Sequence, residues 1–327
     1  MSETQMIKQE EASEAGVQAS AVCCDASVVI CTVNRPTLLA RAVDSVVAQE
    51  NQLGLDFEIV VVDNSVDGRS RKAVQDLAHK SAVPIRYVSE RRMSFAYARN
   101  AGVRAARGEL IAFLDDDEEA SAGWLDSLAE TLRRFDADVV FGPILPRFEG
   151  GKPPSWDPDG RHHVRRLDVP TGTEISARST GNVLMKRASC VLDEAPFAQE
   201  LGITGGEDVD FFMRLQRLGR KLVWAGDAVV TELQPAETLT LGYRSYRIFC
   251  GNQSYVKTSA RNSSKPFKTK LRLMAAGAVQ VVVFFLPWLA SYLAPTGPLI
   301  AARLKFCSGL GKLLWMIPSR LYARRYG

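Results

Sequence analysis

Apolar runs of strand length alternate with amphipathic helical stretches through the first 135 residues, and that order leaves few ways to fold. Residues 27–33 (SVVICTV), 57–62 (FEIVVV), 85–88 (IRYV) and 110–114 (LIAFL) read as strands. Residues 37–49, 69–79, 95–106 and 124–135 read as the helices that follow them. In the first helix Leu38, Leu39, Ala42, Val43 and Val46 fall near helical spacing behind Thr37 as a possible cap. Strands and helices alternating at this spacing predict an α/β fold with a mostly parallel central sheet and helices on both faces. A chain of 327 residues can bury a full core of this kind.

Ligands of such sheets collect beyond the carboxyl ends of the strands. Three polar exits fall there: residues 32–35, with Thr32 and Arg35; residues 63–65, led by Asp63; and Asp115, Asp116 and Asp117, followed by Glu118 and Glu119. Adjacent carboxylates repel one another unless a cation compensates, and hard oxygen donors suit Mg²⁺ or Mn²⁺ shared with substrate phosphates. The plain alternative is a solvated turn, its acids favouring the first turn of a helix expected from residue 121. A second acidic cluster, Gly205-Gly206-Glu207-Asp208-Val209-Asp210, tips the balance, because it also opens a helical pattern. Capping explains one acid there better than three, and a carboxylate at that point can take a proton from a hydroxyl. Asp63 suits hydrogen bonding to a base or ribose, or an ordinary Asx turn. Neither G-x-G-x-x-G nor G-x-x-x-x-G-K-[S/T] follows the first strand, which removes the main support for dinucleotide and P-loop readings.

Further strands are expected at 139–144, 180–185, 221–224 and 228–232. Residues 146–180 are turn-rich, with Trp156 and a basic stretch over 162–170; they read as an active-site flap or acceptor loop, or as a plain surface connection. Six scattered cysteines and three histidines, His79, His162 and His163, supply neither a disulfide framework nor a zinc site. Residues 1–25 are polar without an apolar leader core and read as a disordered tail.

Charge divides the chain. The first 237 residues hold 27 basic and 37 acidic side chains, whereas the rest hold fourteen basic and none acidic. Within that basic end, residues 273–302 carry no charge. They are long enough to cross a bilayer, yet Gln280, Pro287, Pro295, Gly297 and Pro298 interrupt them. Positive flanks on both sides, from Arg261 to Arg272 and from Arg303 to Arg325, favour a segment that re-enters or lies on an anionic membrane surface over one that crosses it. A buried soluble helix is the alternative.

Taken in order, residues 29–35 (VICTVNR), 60–65 (VVVDNS), 98–102 (ARNAG), 113–117 (FLDDD), 206–210 (GEDVD), 231–239 and 246–252 resemble the family 2 glycosyltransferases of GT-A fold, most closely bacterial exopolysaccharide sugar transferases of the succinoglycan type. The resemblance covers residues 27 to 252 and implies metal-dependent, inverting transfer from a nucleotide-diphosphate sugar to a lipid-linked oligosaccharide at the cytoplasmic face of the inner membrane, with no nucleic-acid partner. It implies that Asp63 holds the base, that Asp115 and Asp117 form the D-x-D element with Asp117 nearest the metal, and that Asp208 is the catalytic base. Thr32, Arg35, Arg99 and Asp116 complete the expected donor site. Glu232 stands where many relatives carry a metal-binding histidine, and the Q-x-x-R-W signature of processive polymerases is absent. The division implied is a tail over 1–25, a catalytic domain over 26–255 and a membrane-associating region over 256–327. A sugar-phosphate nucleotidyltransferase and a non-catalytic scaffold are the competing classes.

Overall fold

In the computed structural model, residues 23–202 and 205–317 are described. The expected N-terminal tail up to residue 22, and Arg320, Arg324 and Arg325 of the basic end, lie outside them. The chain runs β1 (Cys24–Thr32), α1 (Pro36–Val47), β2 (Phe57–Asp63), α2 (Arg71–Lys80), β3 (Ile85–Ser89), α3 (Phe95–Ala105), β4 (Gly108–Asp115), β5 (Glu118–Ala120), α4 (Trp124–Arg134), β6 (Val139–Phe141) and β7 (Ile144–Phe148). After a long irregular stretch come β8 (Val183–Lys186), α5 (Arg187–Cys190), α6 (Glu207–Arg217), β9 (Leu222–Trp224), β10 (Val230–Gln234), α7 (Leu241–Arg261), α8 (Pro266–Ala290) and α9 (Gly297–Leu313).

Seven strands form the main sheet in the order β3-β2-β1-β4-β8-β6-β9. The sheet is mixed. β1 to β4 are parallel, as the alternation predicts, but β8 runs antiparallel to both of its neighbours. Strand side chains alternate between two apolar layers: Val28, Ile30, Ile59, Val61, Ala112 and Leu114 pack under α1 and α4, and Val29, Val60, Val62, Ile111 and Phe113 pack under α3 and α6. Both faces of these strands are therefore dry, which is why they read as continuous apolar runs. The chain steps outward from β1 to β3, then returns through α3 to β4 on the far side of β1. That reversal opens the crevice between the ends of β1 and β4. Register puts Cys31 beside Asp115 and Thr32 beside Asp63, so the three polar exits share one edge.

Two readings need correction, one an expectation and one a plain alternative. Residues 139–144 are not one strand: the chain breaks at Gly142-Pro143, and β7 joins a second, three-stranded sheet in the order β5-β10-β7. The acids after Asp117 do not open a helix either. Glu118 and Glu119 belong to β5, which pairs antiparallel with β10, and the Glu118 side chain is fully buried.

The described part of the basic end folds into three helices, with the expected boundary at 255 falling inside α7. α8 and α9 form an antiparallel hairpin in which a Cβ on Gly277 would stand 2.8 Å from the Gly309 carbonyl oxygen. Trp288 stacks on Phe306 with ring centres 4.5 Å apart. α9 lies against α7, where Arg303 Nε donates to Ser245 Oγ at 3.3 Å and Gln253 Nε2 donates to the Leu314 carbonyl at 2.7 Å. α8 is outermost: its 25 residues are long and apolar enough to cross a membrane, and among the described residues it is the one such helix. Val279, Val282, Val283, Leu286 and Leu289 are exposed along one side of it, continued by Leu293.

Candidate active site

The run Asp115-Asp116-Asp117 leaves β4 at the crevice, and each carboxylate meets different neighbours. Asp116 turns toward β1, where Thr32 Oγ1 donates to it at 2.8 Å and Arg35 Nη1 at 3.3 Å. The same Arg35 nitrogen donates to Asp117 Oδ2 at 3.0 Å. Burial disfavours the Arg35 charge, but Asp116 and Asp117 more than compensate and hold it protonated. Asp115 is paired by backbone instead, its amide donating to Glu118 Oε2 at 3.1 Å. Burial, followed by the charge of Asp115, pushes Glu118 well above the usual carboxylate range; burial and Asp117 raise Asp115, with Arg99 opposing.

Arg165, from the irregular stretch after β7, reaches into this cluster. It contacts Glu232 of β10 at 2.7 Å and Glu118 at 3.5 Å. Gly181 covers the other side, where a Cβ would stand 2.7 Å from Glu118 Oε1 and 3.2 Å from Asp115 Oδ2. Asn182 fixes that covering segment: its Nδ2 donates to the Pro143 and Ala228 carbonyls, and its Oδ1 accepts from Trp124 Nε1 at 2.8 Å. The turn-rich stretch over 146–180 thus supplies part of the site.

Asp208 sits in the first turn of α6, after Gly205 and Gly206, both at positive φ. Its oxygens accept from the backbone amides of Val209 at 2.7 Å and Thr180 at 3.4 Å. Glu207 turns inward and pairs with Arg99 of α3, while Asp210 accepts from Asn262 at 2.8 Å on the far side. Burial pushes Glu207 up to about 7 despite Arg99, whose charged form burial disfavours but Glu207, Asp208 and Asp115 hold in place. Asn100 adds a second tie, exchanging hydrogen bonds with the Phe197 backbone at 2.8 and 2.9 Å.

One cavity of about 170 Å³ collects these groups: Asp115, Asp116, Asp117 and Glu232 line it with Glu207 and Asp208, and Arg99, Arg165 and Arg247 line it as well. The structure therefore brings together the two acidic clusters that sequence keeps far apart. Asp63 is not among the cavity's lining residues. It is fully buried and accepts from the amides of Ser65 and Ser70 and from Tyr87 Oη, as an Asx turn would require. Arg165 and Asn182 are the groups that sequence reasoning missed, and Glu118 it had only as one more acid of the run, without its burial. Only Arg165 had a signal, the basic stretch over 162–170.

Among the described residues, no group of three His, Cys, Asp or Glu side chains is arranged to hold an ion by itself. Mg²⁺ and Mn²⁺ do not require one, because such ions are commonly held by one or two carboxylates with substrate phosphates and water. Oxygen donors and a shortage of positive charge both fit: the four acids from Asp115 to Glu118 and Glu232 face Arg35, Arg165 and Arg247, and Arg99 is engaged by Glu207.

An open α/β sheet with carboxylates gathered beyond its crossover is consistent with the GT-A type of fold. The chain belongs to glycosyl transferase family 2, whose family model matches residues 27–191. It is a glycosyltransferase using a nucleotide-sugar donor. It is 31% identical over 234 residues to the succinoglycan biosynthesis protein ExoM of Rhizobium meliloti, covering 72% of this chain and 75% of that protein. The GalNAc(5)-diNAcBac-PP-undecaprenol beta-1,3-glucosyltransferase of Campylobacter jejuni is 34% identical over 176 residues, 53% of this chain and 55% of that one. Among solved structures, Staphylococcus aureus TarS superposes with a TM-score of 0.51 at 17% identity over 88% of this chain and 54% of that one, a likeness of fold alone.

Proposed function

We propose that the protein transfers one sugar per encounter, with inversion, from a nucleoside-diphosphate sugar to a hydroxyl of a lipid-linked oligosaccharide in surface or exopolysaccharide synthesis. The observation that carries this reading is the single cavity lined both by the β4 acids and by Asp208 at the start of α6. In the reaction, Asp208 removes the proton of the acceptor hydroxyl, the hydroxyl oxygen bonds to the anomeric carbon, and the bond from that carbon to the diphosphate breaks. One displacement inverts the anomeric centre. Asp117, with Asp115 near it, would hold Mg²⁺ or Mn²⁺ through the donor phosphates. When bound, the ion neutralises charge that develops on the departing diphosphate. Arg35 steadies Asp116 and Asp117, and Arg99 holds Glu207 so that the neighbouring Asp208 faces the cavity.

The lipid-linked acceptor is supported by the exposed apolar side of α8 and by the undecaprenol diphosphate in the name of the Campylobacter relative. The succinoglycan role of the Rhizobium relative supports an exopolysaccharide pathway. On this reading residues 26–255 do the chemistry and the basic end attaches the enzyme to the cytoplasmic side of the inner membrane. The test is donor turnover, measured as release of nucleoside diphosphate. Asp208→Asn and Asp117→Ala should each lower it by about a thousandfold, the scale of losing one transition-state contact, with circular dichroism unchanged. Near-normal turnover by either variant removes that residue from its role.

A further inference from the structure

Asp208 lines two cavities, not one. The second, about 250 Å³, lies on the α7 side of Asp208 and shares Ser179 and Gly206 with the first. Gly206, at φ 99°, forms the narrow wall there; a Cβ on it would stand 3.1 Å from Ser254 Cβ and 3.3 Å from Thr258 Cγ2. The far wall is one side of α7, carrying Gly251, Ser254, Tyr255 and Thr258.

α7 uses opposite sides for two tasks. Ser245, Phe249, Asn252 and Gln253 meet α9 and the residues after it: Ser308 Oγ donates to Asn252 Oδ1 at 2.9 Å, and Gly311 packs on the Phe249 backbone. Residues 251, 254, 255 and 258 fall on the other side at helical spacing, facing Asp208. Gly251 is the telling position. A glycine within a helix costs about 0.5–1 kcal/mol relative to alanine, and here a Cβ would meet nothing within 4 Å. Gly277, Gly309 and Gly311 differ, since backbone crowds each of them to 3 Å or closer. No packing demand among the described residues accounts for Gly251, whereas an incoming molecule would need that room.

We propose that this second cavity receives the terminal sugar ring of an acceptor carried on an apolar chain, its hydroxyl at Asp208 and its ring against Tyr255. The proposal rests on the transferase reading above. The volume, about 250 Å³, sits just below the range of about 300–1,000 Å³ common for ligand pockets, which suits one terminal ring with the rest of the acceptor outside the cavity. Hydroxyls of Ser179 and Ser254 supply polar groups, while Val209, Cys250, the Thr258 methyl and the Tyr255 ring supply apolar surface, the mix that a sugar with a greasy aglycone presents. The chain of such an acceptor continues toward the helices that carry the exposed apolar side chains.

The experiment uses full-length protein in detergent. Nucleoside diphosphate release is followed from a panel of nucleotide sugars with the octyl β-glycosides of glucose, galactose and N-acetylglucosamine as acceptors, beside the free sugars. At least one octyl glycoside should stimulate the wild type more than its free sugar. Gly251→Ala, Gly251→Leu and Gly251→Trp should then raise the acceptor KM in order of size, tenfold or more for Trp, while nucleoside diphosphate affinity by calorimetry stays within twofold. An unchanged acceptor KM in Gly251→Trp, or an equal loss of nucleoside diphosphate affinity, overturns the assignment of the cavity. Free sugars that stimulate as well as octyl glycosides, or octyl glycosides that do nothing, overturn the apolar carrier. A wild type that releases no nucleoside diphosphate from any donor, with or without acceptor, fails the transferase reading instead.

Discussion

Replacing Arg99 with Met leaves Glu207 as a buried carboxylate without its partner. The Arg99 and Glu207 side chains are 10% and 3% exposed, so the pair is screened little by water. Removing one member of a buried pair costs about 3–5 kcal/mol, a large share of the roughly 5–15 kcal/mol that holds a domain together. At about 2–4 °C per kcal/mol for a domain of this size, Tm should fall by at least 6 °C. The loss must also depend on pH. Glu207 is already pushed up to about 7 with Arg99 beside it, against an ordinary 4.5, and without Arg99 it must rise further. Between pH 4.5 and that raised value, the unfolded chain has lost a proton that the folded chain keeps, so stability falls as pH rises. The Arg99→Met deficit should therefore gain a pH-dependent part only above about pH 7, up to about 1.4 kcal/mol for each pH unit, and be larger near pH 8 than near pH 5. Adding Glu207→Gln should return most of the stability and flatten the pH dependence, though the precise alignment of Asp208, and with it turnover, should remain impaired. Denaturant unfolding from pH 5 to 8 measures all three proteins. A deficit under about 1 kcal/mol at pH 8, or one that does not change with pH, would falsify the account of Arg99 as the charge that anchors α6.

Arg165→Gln removes the cation between Glu118 and Glu232; donor turnover should fall about tenfold or more, equivalent to roughly 1.4 kcal/mol, and Glu232→Gln in the same protein should recover part of it. Asn182→Ala strands Trp124 Nε1 and two buried carbonyls, which should cost about 3 kcal/mol or more in denaturant unfolding; a loss near zero would mean that water replaces the side chain. Chelating divalent ions should abolish turnover and restoring Mg²⁺ or Mn²⁺ should recover it, with Tm shifted by no more than a few degrees. Protein ending at Ser264 should leave the membrane fraction, whereas full-length protein should resist both high salt and alkaline carbonate; release by salt alone would reduce the attachment to electrostatics.

The parallel half of the sheet was legible because β1, β2 and β4 are dry on both faces and announce themselves as unbroken apolar runs. Asp115 to Asp117 and Asp208 stood out for a related reason, since acids at the ends of elements have no local use for so much charge, and the structure lines one cavity with all four. What stayed hidden depends on partners distant in sequence. Glu118 looks like one more acid in a run, and only its pairing with β10 buries it. Arg165 gains its meaning from Glu232, which another strand delivers. Asn182 resembles any loop asparagine until Trp124, Pro143 and Ala228 surround it. Arg99 was expected at the donor; it does line the cavity, yet its closest partner is Glu207.

The α8–α9 hairpin is tied to the catalytic body at both ends. At one end Gln253 of α7 holds the carbonyls of Leu314 and Ile317; at the other, Gly297 comes close enough to Arg161 that a Cβ would lie 3.4 Å from its guanidinium. A helix fastened this way runs alongside its protein instead of projecting from it. If lipid covers the exposed side of α8, the enzyme rides at a fixed height and tilt, and it meets its acceptors by lateral diffusion. Its rate would then follow the number of acceptors per unit area of membrane, and diluting the vesicles in buffer would leave turnover per enzyme unchanged.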